Sequence, residues 1–252
     1  MTTPWLIYPK PNPKAYLRLF CFPYAGGGAS IFRAWPIQLP SDIEVCSIQL
    51  PGRESRLKEP LFTNLSTLLD TLTPALLPHL DRPFAFFGHS VGALICFEVA
   101  RQLRRLQHKN PLHLFISGRR APQLPALEPP SHQLADAEFL EELRRYNGTP
   151  GNVLQNVELM NLFLPILRAD LAINETYIYE HEAPLDCSMS LFGGLEDGKV
   201  SRDSLSAWSE QTDGTFSLHM FPGEHFFLKT QQQALLEAIS HDLVQFLTED
   251  AK

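Results

Sequence analysis

FAFFGHSVGA (residues 84–93) is the stretch of this 252-residue chain that decides its fold. Its first four residues are apolar, which predicts a buried β-strand, and a helical pattern begins at Ala93. Between them, Gly88 to Gly92 fit the pattern G-x-S-x-G, in which the glycines permit a sharp strand-to-helix turn. Such a turn exposes the hydroxyl of Ser90 at the start of the helix, so Ser90 is the candidate nucleophile. A glycine-bracketed turn without catalysis is the alternative.

Short apolar runs bounded by glycine or proline recur along the chain and predict strands buried on both faces. They are Leu17–Phe22, Glu44–Gln49, Phe84–Phe87, Leu112–Ser117, Met189–Phe192 and Phe216–Phe221. Helical patterns lie between them, at Leu65–Leu80, Ala93–Leu106, Ser204–Glu210 and Gln231–Leu247. The alternation predicts an α/β fold with a mostly parallel, doubly wound sheet, formed by a single domain over residues 1–252.

One region, residues 120–181, interrupts this alternation. It begins with the proline-rich segment APQLPALEPP (residues 121–130) and continues with helical patterns at Asp136–Tyr146 and Val157–Tyr179. The region is too long for an ordinary connection between strands, so we predict an inserted helical lid. Its apolar side chains either line a ligand chamber or only pack the insert onto the sheet. They are Val157, Leu159, Met160, Leu162, Phe163, Leu164, Ile166 and Leu167.

Composition excludes several classes of protein. The net charge of −7 and the pI of about 5.7 argue against broad binding of nucleic acid or anionic membranes. No apolar run approaches the roughly 18 residues of a membrane-spanning helix, and the first residues do not form a signal peptide. We therefore expect a soluble, cytoplasmic protein. The four cysteines lie far apart, which predicts buried free thiols, and no metal-binding motif is present.

A serine nucleophile needs a base, and nine histidines compete for that role. His225 lies in FPGEHFF (residues 221–227), between the last predicted strand and the last helix, where it can reach over the carboxyl edge of the sheet. His89 adjoins Ser90 on the same tight turn, so its side chain should point elsewhere. We expect His113 to be structural within a strand and His79 to be solvated. His225 is the predicted base.

The third group is a carboxylate that fixes the tautomer of the base. In this topology the order along the chain is serine, acid, histidine. Asp197 follows the predicted strand and turn over residues 189–194 and is the predicted acid. Glu196 is the adjacent rival, and Asp203 is less favoured because it begins or precedes a helix. A solvated or helix-capping carboxylate is the alternative role for all three.

Two backbone N–H groups are needed to bind the negative oxygen that develops during acyl transfer. One is expected from Val91, the residue after the nucleophile. The other is expected from Ala25, in the glycine-rich loop PYAGGG (residues 23–28) that follows the first predicted strand. This loop lacks the Lys-Ser/Thr pair of a P-loop and the spacing of a dinucleotide fingerprint. The sequence therefore favours an oxyanion hole over a nucleotide site.

Five segments together resemble the type II thioesterases, the stand-alone editing hydrolases of non-ribosomal peptide and polyketide synthesis. They are LFCFPYAGGG (19–28), LPGRE (50–54), FGHSVGA (87–93), LRAD (167–170) and FPGEHF (221–226). The resemblance runs from about residue 15 to 247, and LPGRE and LRAD are more specific than GHSVG. It implies an α/β-hydrolase fold with a helical lid and supports Ser90, Asp197 and His225 as the catalytic triad.

The chain departs from the family pattern at two positions. Glu224 replaces a glycine that the family often has before the histidine, and we expect its side chain to face solvent. Val91 replaces a methionine that often follows the serine. This change leaves the backbone N–H in place but alters the wall of the pocket.

The resemblance also implies a substrate, namely an acyl group held as a thioester on the phosphopantetheine arm of an acyl or peptidyl carrier protein domain. It implies transient contact with these partners, hydrolysis of small acyl thioesters, a monomer, and no cofactor or metal of the enzyme's own. The alternatives are a medium-chain fatty acyl carrier-protein hydrolase, a general serine esterase or lipase, and a binding module with a vestigial triad. Arg101, Arg104 and Arg105 form either a docking patch for an acidic carrier protein or a solvated helix face.

Overall fold

A computed structural model describes residues 3–146 and 156–249, which form a seven-stranded sheet in the order β1-β3-β2-β4-β5-β6-β7. The strands are β1 (Leu6–Ile7), β2 (Leu17–Phe22), β3 (Ile43–Ile48), β4 (Phe84–His89), β5 (His113–Ser117), β6 (Ser188–Gly194) and β7 (Phe216–Phe221). Neighbouring strands are parallel except that β1 runs antiparallel to β3. The strand order reverses direction after β3, so the sheet is doubly wound and mostly parallel, as predicted.

The register places the predicted functional loops at one edge of the sheet. Phe22, the last residue of β2, pairs with Gly88 of β4, and Gly194 of β6 pairs with Phe221 of β7. The loops that follow parallel strands all leave from the carboxyl edge, which is where ligands bind in open α/β sheets. The glycine-rich loop after β2 therefore lies beside the turn at Ser90, and the loops after β6 and β7 are neighbours.

Helices cover both faces of the sheet. In the described residues they are α1 (Trp35–Gln38), α2 (Leu65–Leu76), α3 (Val91–Arg105), α4 (Asp136–Tyr146), α5 (Val157–Glu175), α6 (Arg202–Ser206), α7 (Phe227–Thr230) and α8 (Gln232–Glu249). Phe86 packs with the α2 and α3 side, whereas the next residue, Phe87, packs with the α1 and α8 side. Successive strand residues point to opposite faces, which explains why the strand segments are apolar throughout.

Several element boundaries differ from the sequence prediction. The helix predicted over residues 65–80 ends at Leu76 and continues as a 3₁₀ turn, Leu77–His79, where Pro78 supplies no N–H for a helical bond. Helix α3 begins at Val91, two residues earlier than predicted, because it starts immediately after the turn. His79 is buried and its Nδ1 lies 2.9 Å from the Tyr8 hydroxyl, so the prediction that it is solvated was wrong.

Between β5 and β6, the described residues 118–146 and 156–187 contain α4 and α5 and no strand, apart from an isolated bridge at Leu185. The two helices pack on one another through a small separate core that includes Phe139, Met160 and Leu171. Residues 147–155 of the predicted insert lie outside the described residues. That residues 120–181 form a lid stays a prediction.

Two further features bear on the expectations from composition. All four cysteines are buried and free, as predicted. Within residues 3–146 and 156–249, no helix combines the length and the apolar character that a membrane span needs.

Candidate active site

The turn at Ser90 has an unusual backbone conformation. Ser90 has φ 55° and ψ −118°, and residues other than glycine rarely adopt such a positive φ. Its N–H donates to the carbonyl of Ser117 at 2.8 Å. A Cβ on Gly88 would lie 2.3 Å from the carbonyl oxygen of Gly92, and one on Gly92 would lie 2.3 Å from that of Phe22. Both flanking positions therefore require glycine, and the tight packing holds the strained serine in place.

Ser90 and His225 line the same cavity, which has a volume of about 510 Å³. The glycine-rich loop lines it as well, including Ala25. Helices α4 and α5 contribute its apolar wall, made of Leu143, Leu162, Phe163, Ile166, Leu167 and Leu171. Four of these belong to the predicted chamber set, whereas Val157 and Leu159 are exposed. The cavity has the size and composition to hold an acyl chain.

His225 is held by the carboxylate of Asp197. The Nδ1 atom of His225 lies 2.8 Å from Oδ2 of Asp197, and both residues are buried. The other oxygen, Oδ1, accepts from the backbone N–H groups of Lys199 at 2.9 Å and Val200 at 3.2 Å. These bonds fix the carboxylate, which places the imidazole proton on Nδ1. Nε2 is then the ring nitrogen that can accept a proton.

The rival carboxylates point elsewhere. Glu196 is exposed, and its carboxylate accepts from the backbone N–H of Gly223. Asp203 is exposed in the first turn of α6, as predicted. Glu224, the departure from the family pattern, is also exposed, so its side chain faces solvent. Asp197 is therefore the carboxylate that the structure brings to His225.

His89 forms part of an aromatic wall beside His225, which sequence reasoning did not foresee. The two ring centroids are 5.1 Å apart, and Phe226 lies 5.7 Å from His89 on the same side. His89 is fully buried, with Nδ1 2.9 Å from the Ser117 hydroxyl. Burial, and then the charge that His225 can hold, depress the pKa of His89 well below its ordinary value. His89 therefore stays neutral at pH 7.

Of the two predicted oxyanion donors, Val91 directly follows Ser90 in the chain, and Ala25 lines the same cavity as Ser90. Val91 is the first residue of α3, where the N–H groups have no acceptor within the helix. Ala25 lies in the loop after β2, which turns through a bond from the Gly27 N–H to the Tyr24 carbonyl at 2.8 Å. Gly26 adopts φ 76°, a conformation suited to glycine. The oxyanion hole formed by these two amides stays a prediction.

A buried ion pair behind this loop was missed by the sequence analysis. The Arg53 guanidinium binds the Asp170 carboxylate through two bonds, Nη1–Oδ2 at 2.6 Å and Nη2–Oδ1 at 2.8 Å. Arg53 is 5% exposed and Asp170 is 1% exposed. These residues belong to the LPGRE and LRAD segments. The available signal was the charged Asp170 between the apolar residues Ala169 and Leu171 of α5.

The three arginines of α3 form ion pairs within the chain. Arg101 is buried and binds Glu98 at 2.5 Å, and Arg104 binds Glu182 at 2.5 Å. Arg105 also binds Glu182. The buried Arg101 fits neither reading of the sequence, whereas the exposed Arg105 fits the solvated helix face. The connection before β6 supplies Glu182, and sequence patterns do not show this contact.

Comparisons with known proteins agree with this geometry. The gramicidin S biosynthesis protein GrsT of Aneurinibacillus migulanus is 48% identical over 239 residues, covering 95% of this chain and 93% of that protein. The medium-chain S-acyl fatty acid synthase thioesterase of Homo sapiens is 38% identical over 222 residues, covering 86% and 83%. The solved structure of RedJ, a thioesterase of prodiginine biosynthesis in Streptomyces coelicolor, matches with a TM-score of 0.86 at 38% identity, covering 91% of each chain.

A family model described as the thioesterase domain matches residues 17–243, which is nearly the whole chain. The match includes the turn at Ser90, both helices between β5 and β6, and the loop of His225. Together with the mostly parallel sheet and the strained turn at Ser90, these matches show that the chain belongs to the thioesterase family and has the α/β-hydrolase fold.

Proposed function

We propose that this protein hydrolyses acyl thioesters on the phosphopantetheine arm of carrier protein domains, clearing aberrant acyl groups from non-ribosomal peptide or polyketide synthases. The proposal rests on one observation: Ser90 and His225, the latter bound to Asp197, line one apolar cavity. GrsT and RedJ, named for gramicidin S and prodiginine biosynthesis, support the pathway class.

The proposed mechanism assigns a role to each group. Nε2 of His225 takes the Ser90 proton as Oγ attacks the thioester carbon, and the N–H groups of Ala25 and Val91 bind the oxyanion. The C–S bond then breaks, and the pantetheine sulfur leaves as the thiol with the proton from His225, which gives an acyl-serine and a neutral imidazole. In the second half, His225 takes a proton from water, the resulting hydroxide attacks the acyl carbon, and Ser90 regains its proton. This cycle needs no cofactor beyond the phosphopantetheine of the substrate.

The apolar wall of α4 and α5 supports selection among acyl groups. Burying one methylene group is worth about 0.8 kcal/mol, so each carbon that enters the cavity changes affinity roughly fourfold. The binding of the acyl chain then depends on Leu162, Phe163 and Ile166, which line the cavity. Acyl preference is therefore a measurable property of this wall.

We also propose that contact with the carrier is transient and that the enzyme acts as a cytoplasmic monomer. The net charge is −7, and carrier proteins are typically acidic, so long-range repulsion opposes tight docking. The arginines of α3 form ion pairs with Glu98 and Glu182, which reduces the net positive charge that this helix presents to a carrier. Weak docking suits an enzyme that visits many carrier domains.

The deciding experiment compares kcat/KM for a panel of acyl groups loaded on a carrier protein and on free coenzyme A. The proposal expects higher values for the carrier-bound series and loss of turnover in Ser90→Ala. Ser66→Ala, which removes an exposed hydroxyl of α2, is the matched control and keeps full activity. Equal turnover of carrier-bound, coenzyme A-bound and soluble esters would instead indicate a general esterase.

A second candidate is the hydrolysis of medium-chain fatty acyl groups from a fatty acid synthase. The human medium-chain thioesterase, 38% identical, and the apolar cavity favour it. The same panel separates the two functions. A medium-chain hydrolase gains in kcat/KM as the chain lengthens from acetyl, whereas an editing enzyme accepts short acyl groups as well.

A further inference from the structure

We propose that the Arg53–Asp170 ion pair positions the glycine-rich loop so that the Ala25 N–H points at the developing oxyanion. Both are then positioning residues, since they act through the loop. The inference rests on the proposed function in that it assumes acyl transfer by Ser90.

The ion pair holds the loop at two consecutive residues. Oδ2 of Asp170 accepts from the Gly26 N–H at 2.7 Å and from Arg53 Nη1 at 2.6 Å. The same Nη1 donates to the carbonyl of Gly27 at 3.2 Å. Gly26 N belongs to the peptide unit that joins it to Ala25, so these bonds fix the carboxyl side of Ala25. On its amino side, Phe22 is anchored in the sheet. Ala25 is thus held between two anchors.

The conformation of the loop needs such support. Gly26 has φ 76°, and a Cβ there would lie 2.7 Å from a Leu167 methyl group, so α5 presses directly on the loop. Asp170 lies on the same helix, less than one turn further along. Glycine gains conformational freedom when its contacts are removed, so loss of the carboxylate would release the loop. A donor that moves by about 1 Å loses much of its effect on a transition state.

Burial indicates that stability is not the main gain from this pair. Replacing a buried ion pair by apolar residues of similar volume is often neutral or stabilising. Arg53 is 5% exposed and Asp170 is 1% exposed, so the gain from this pair lies in holding the geometry of the loop and in balancing charge near the nucleophile. The guanidinium also neutralises a carboxylate that would otherwise repel the nearby oxyanion. The pair orients the donor without adding a net negative charge.

The test compares Asp170→Ala, Asp170→Asn and Arg53→Lys with the wild type on a soluble acyl-coenzyme A thioester. Asp170→Ala is expected to lower kcat about 100- to 1,000-fold, the effect of losing one oxyanion donor. Asp170→Asn keeps an oxygen for the loop amide and should recover part of the activity. Arg53→Lys keeps the charge but loses the paired bonds, so its kcat should lie between those of the wild type and Asp170→Ala.

Two inhibitors separate positioning from general damage. A trifluoromethyl ketone forms an oxyanion on Ser90, and its affinity should fall by the same factor as kcat. An S-alkyl pantetheine thioether lacks the thioester carbonyl and forms no oxyanion, so its affinity should not change. Glu98→Ala is the matched control because it breaks another buried ion pair, that with Arg101, away from the cavity.

The proposal is overturned if kcat falls no further than in the Glu98→Ala control, or if both inhibitors lose affinity equally. Should Asp170→Ala fail to fold, Asp170→Asn and Arg53→Lys decide the question by the same two readouts. The assay uses a thioester without a carrier protein, so a wild type that ignores carriers contradicts the proposed function and leaves this inference standing.

Discussion

Exchanging Asp197 for asparagine tests the assignment of the acid most directly. Its Oδ1 accepts two backbone N–H groups, from Lys199 and Val200. In the variant these donors select the amide oxygen, because an NH₂ group there would face two other donors. The NH₂ group must then point at Nδ1 of His225, which now lies 2.8 Å from Oδ2. It donates to that nitrogen and moves the imidazole proton to Nε2, where His225 can no longer take the Ser90 proton.

The expected loss is about 10⁴-fold in kcat, as for a triad whose histidine is held in the wrong tautomer. At 1.36 kcal/mol for each factor of ten, this is about 5.4 kcal/mol in the activation free energy. Substrate binding should change little, because the side chain of Asp197 is buried behind His225 and does not line the acyl cavity. The effect should therefore appear in kcat with KM nearly unchanged.

The assay measures thiol release from an acyl-coenzyme A thioester, with circular dichroism to verify folding. Glu196→Gln is the matched control, since Glu196 is the adjacent carboxylate and its amide oxygen can still accept from Gly223. The control should keep activity close to that of the wild type. A kcat within tenfold of wild type for Asp197→Asn, or an equal loss in Glu196→Gln, would refute the reasoning.

Three further outcomes are expected. Gly92→Ala should lower the free energy of unfolding by about 1–3 kcal/mol, because its Cβ would meet a backbone oxygen at 2.3 Å. The control Gly198→Ala has open space around its Cβ and should leave the thermal midpoint unchanged. Arg101→Ala should cost about 3 kcal/mol in urea titrations, because the buried carboxylate of Glu98 loses its 2.5 Å ion pair and keeps only the Tyr177 hydroxyl at 2.8 Å and Arg105 at 3.8 Å. Arg105→Ala should cost at most about 1 kcal/mol and leave KM for carrier-bound substrate unaltered. Burial lowers the pKa of His113 to about 4, so its neutral form stabilises the fold above pH 6.5, and that contribution is lost as the pH falls towards 4. Denaturant titrations at pH 6.5 and at pH 4 should therefore show that His113→Phe loses less unfolding free energy between the two pH values than the wild type does.

The predicted strands match six of the seven observed ones to within two residues at each end. These segments are buried on both faces, so their apolar runs are continuous and easily recognised. The two-residue strand Leu6–Ile7 and the four-residue helix Trp35–Gln38 are too short to show a period, and both escaped the sequence analysis. The prediction succeeded where the local pattern was long enough to specify the element.

The residues of the candidate site also differ in how far the local sequence could predict them. The placement of Ser90 follows from local chemistry, because two glycines and an adjoining strand and helix specify the turn. The choice among Asp197, Glu196 and Asp203 does not, since all three lie within seven residues in one segment and each suits a solvated role. In the structure, Asp197 is buried against His225 and Glu196 is exposed, an arrangement that depends on the loops after β6 and β7 meeting at the edge of the sheet.

The sequence by itself determined the α/β fold, the strained serine turn and the histidine loop, because each depends on residues that are close along the chain. Only the tertiary structure brought Arg53 to Asp170 across 117 residues and Arg104 to Glu182 across 78. Strand order and register decide which distant side chains meet, and no local period encodes them. For this reason, the buried ion pair behind the glycine-rich loop and the ion pairs of the α3 arginines became visible only in three dimensions.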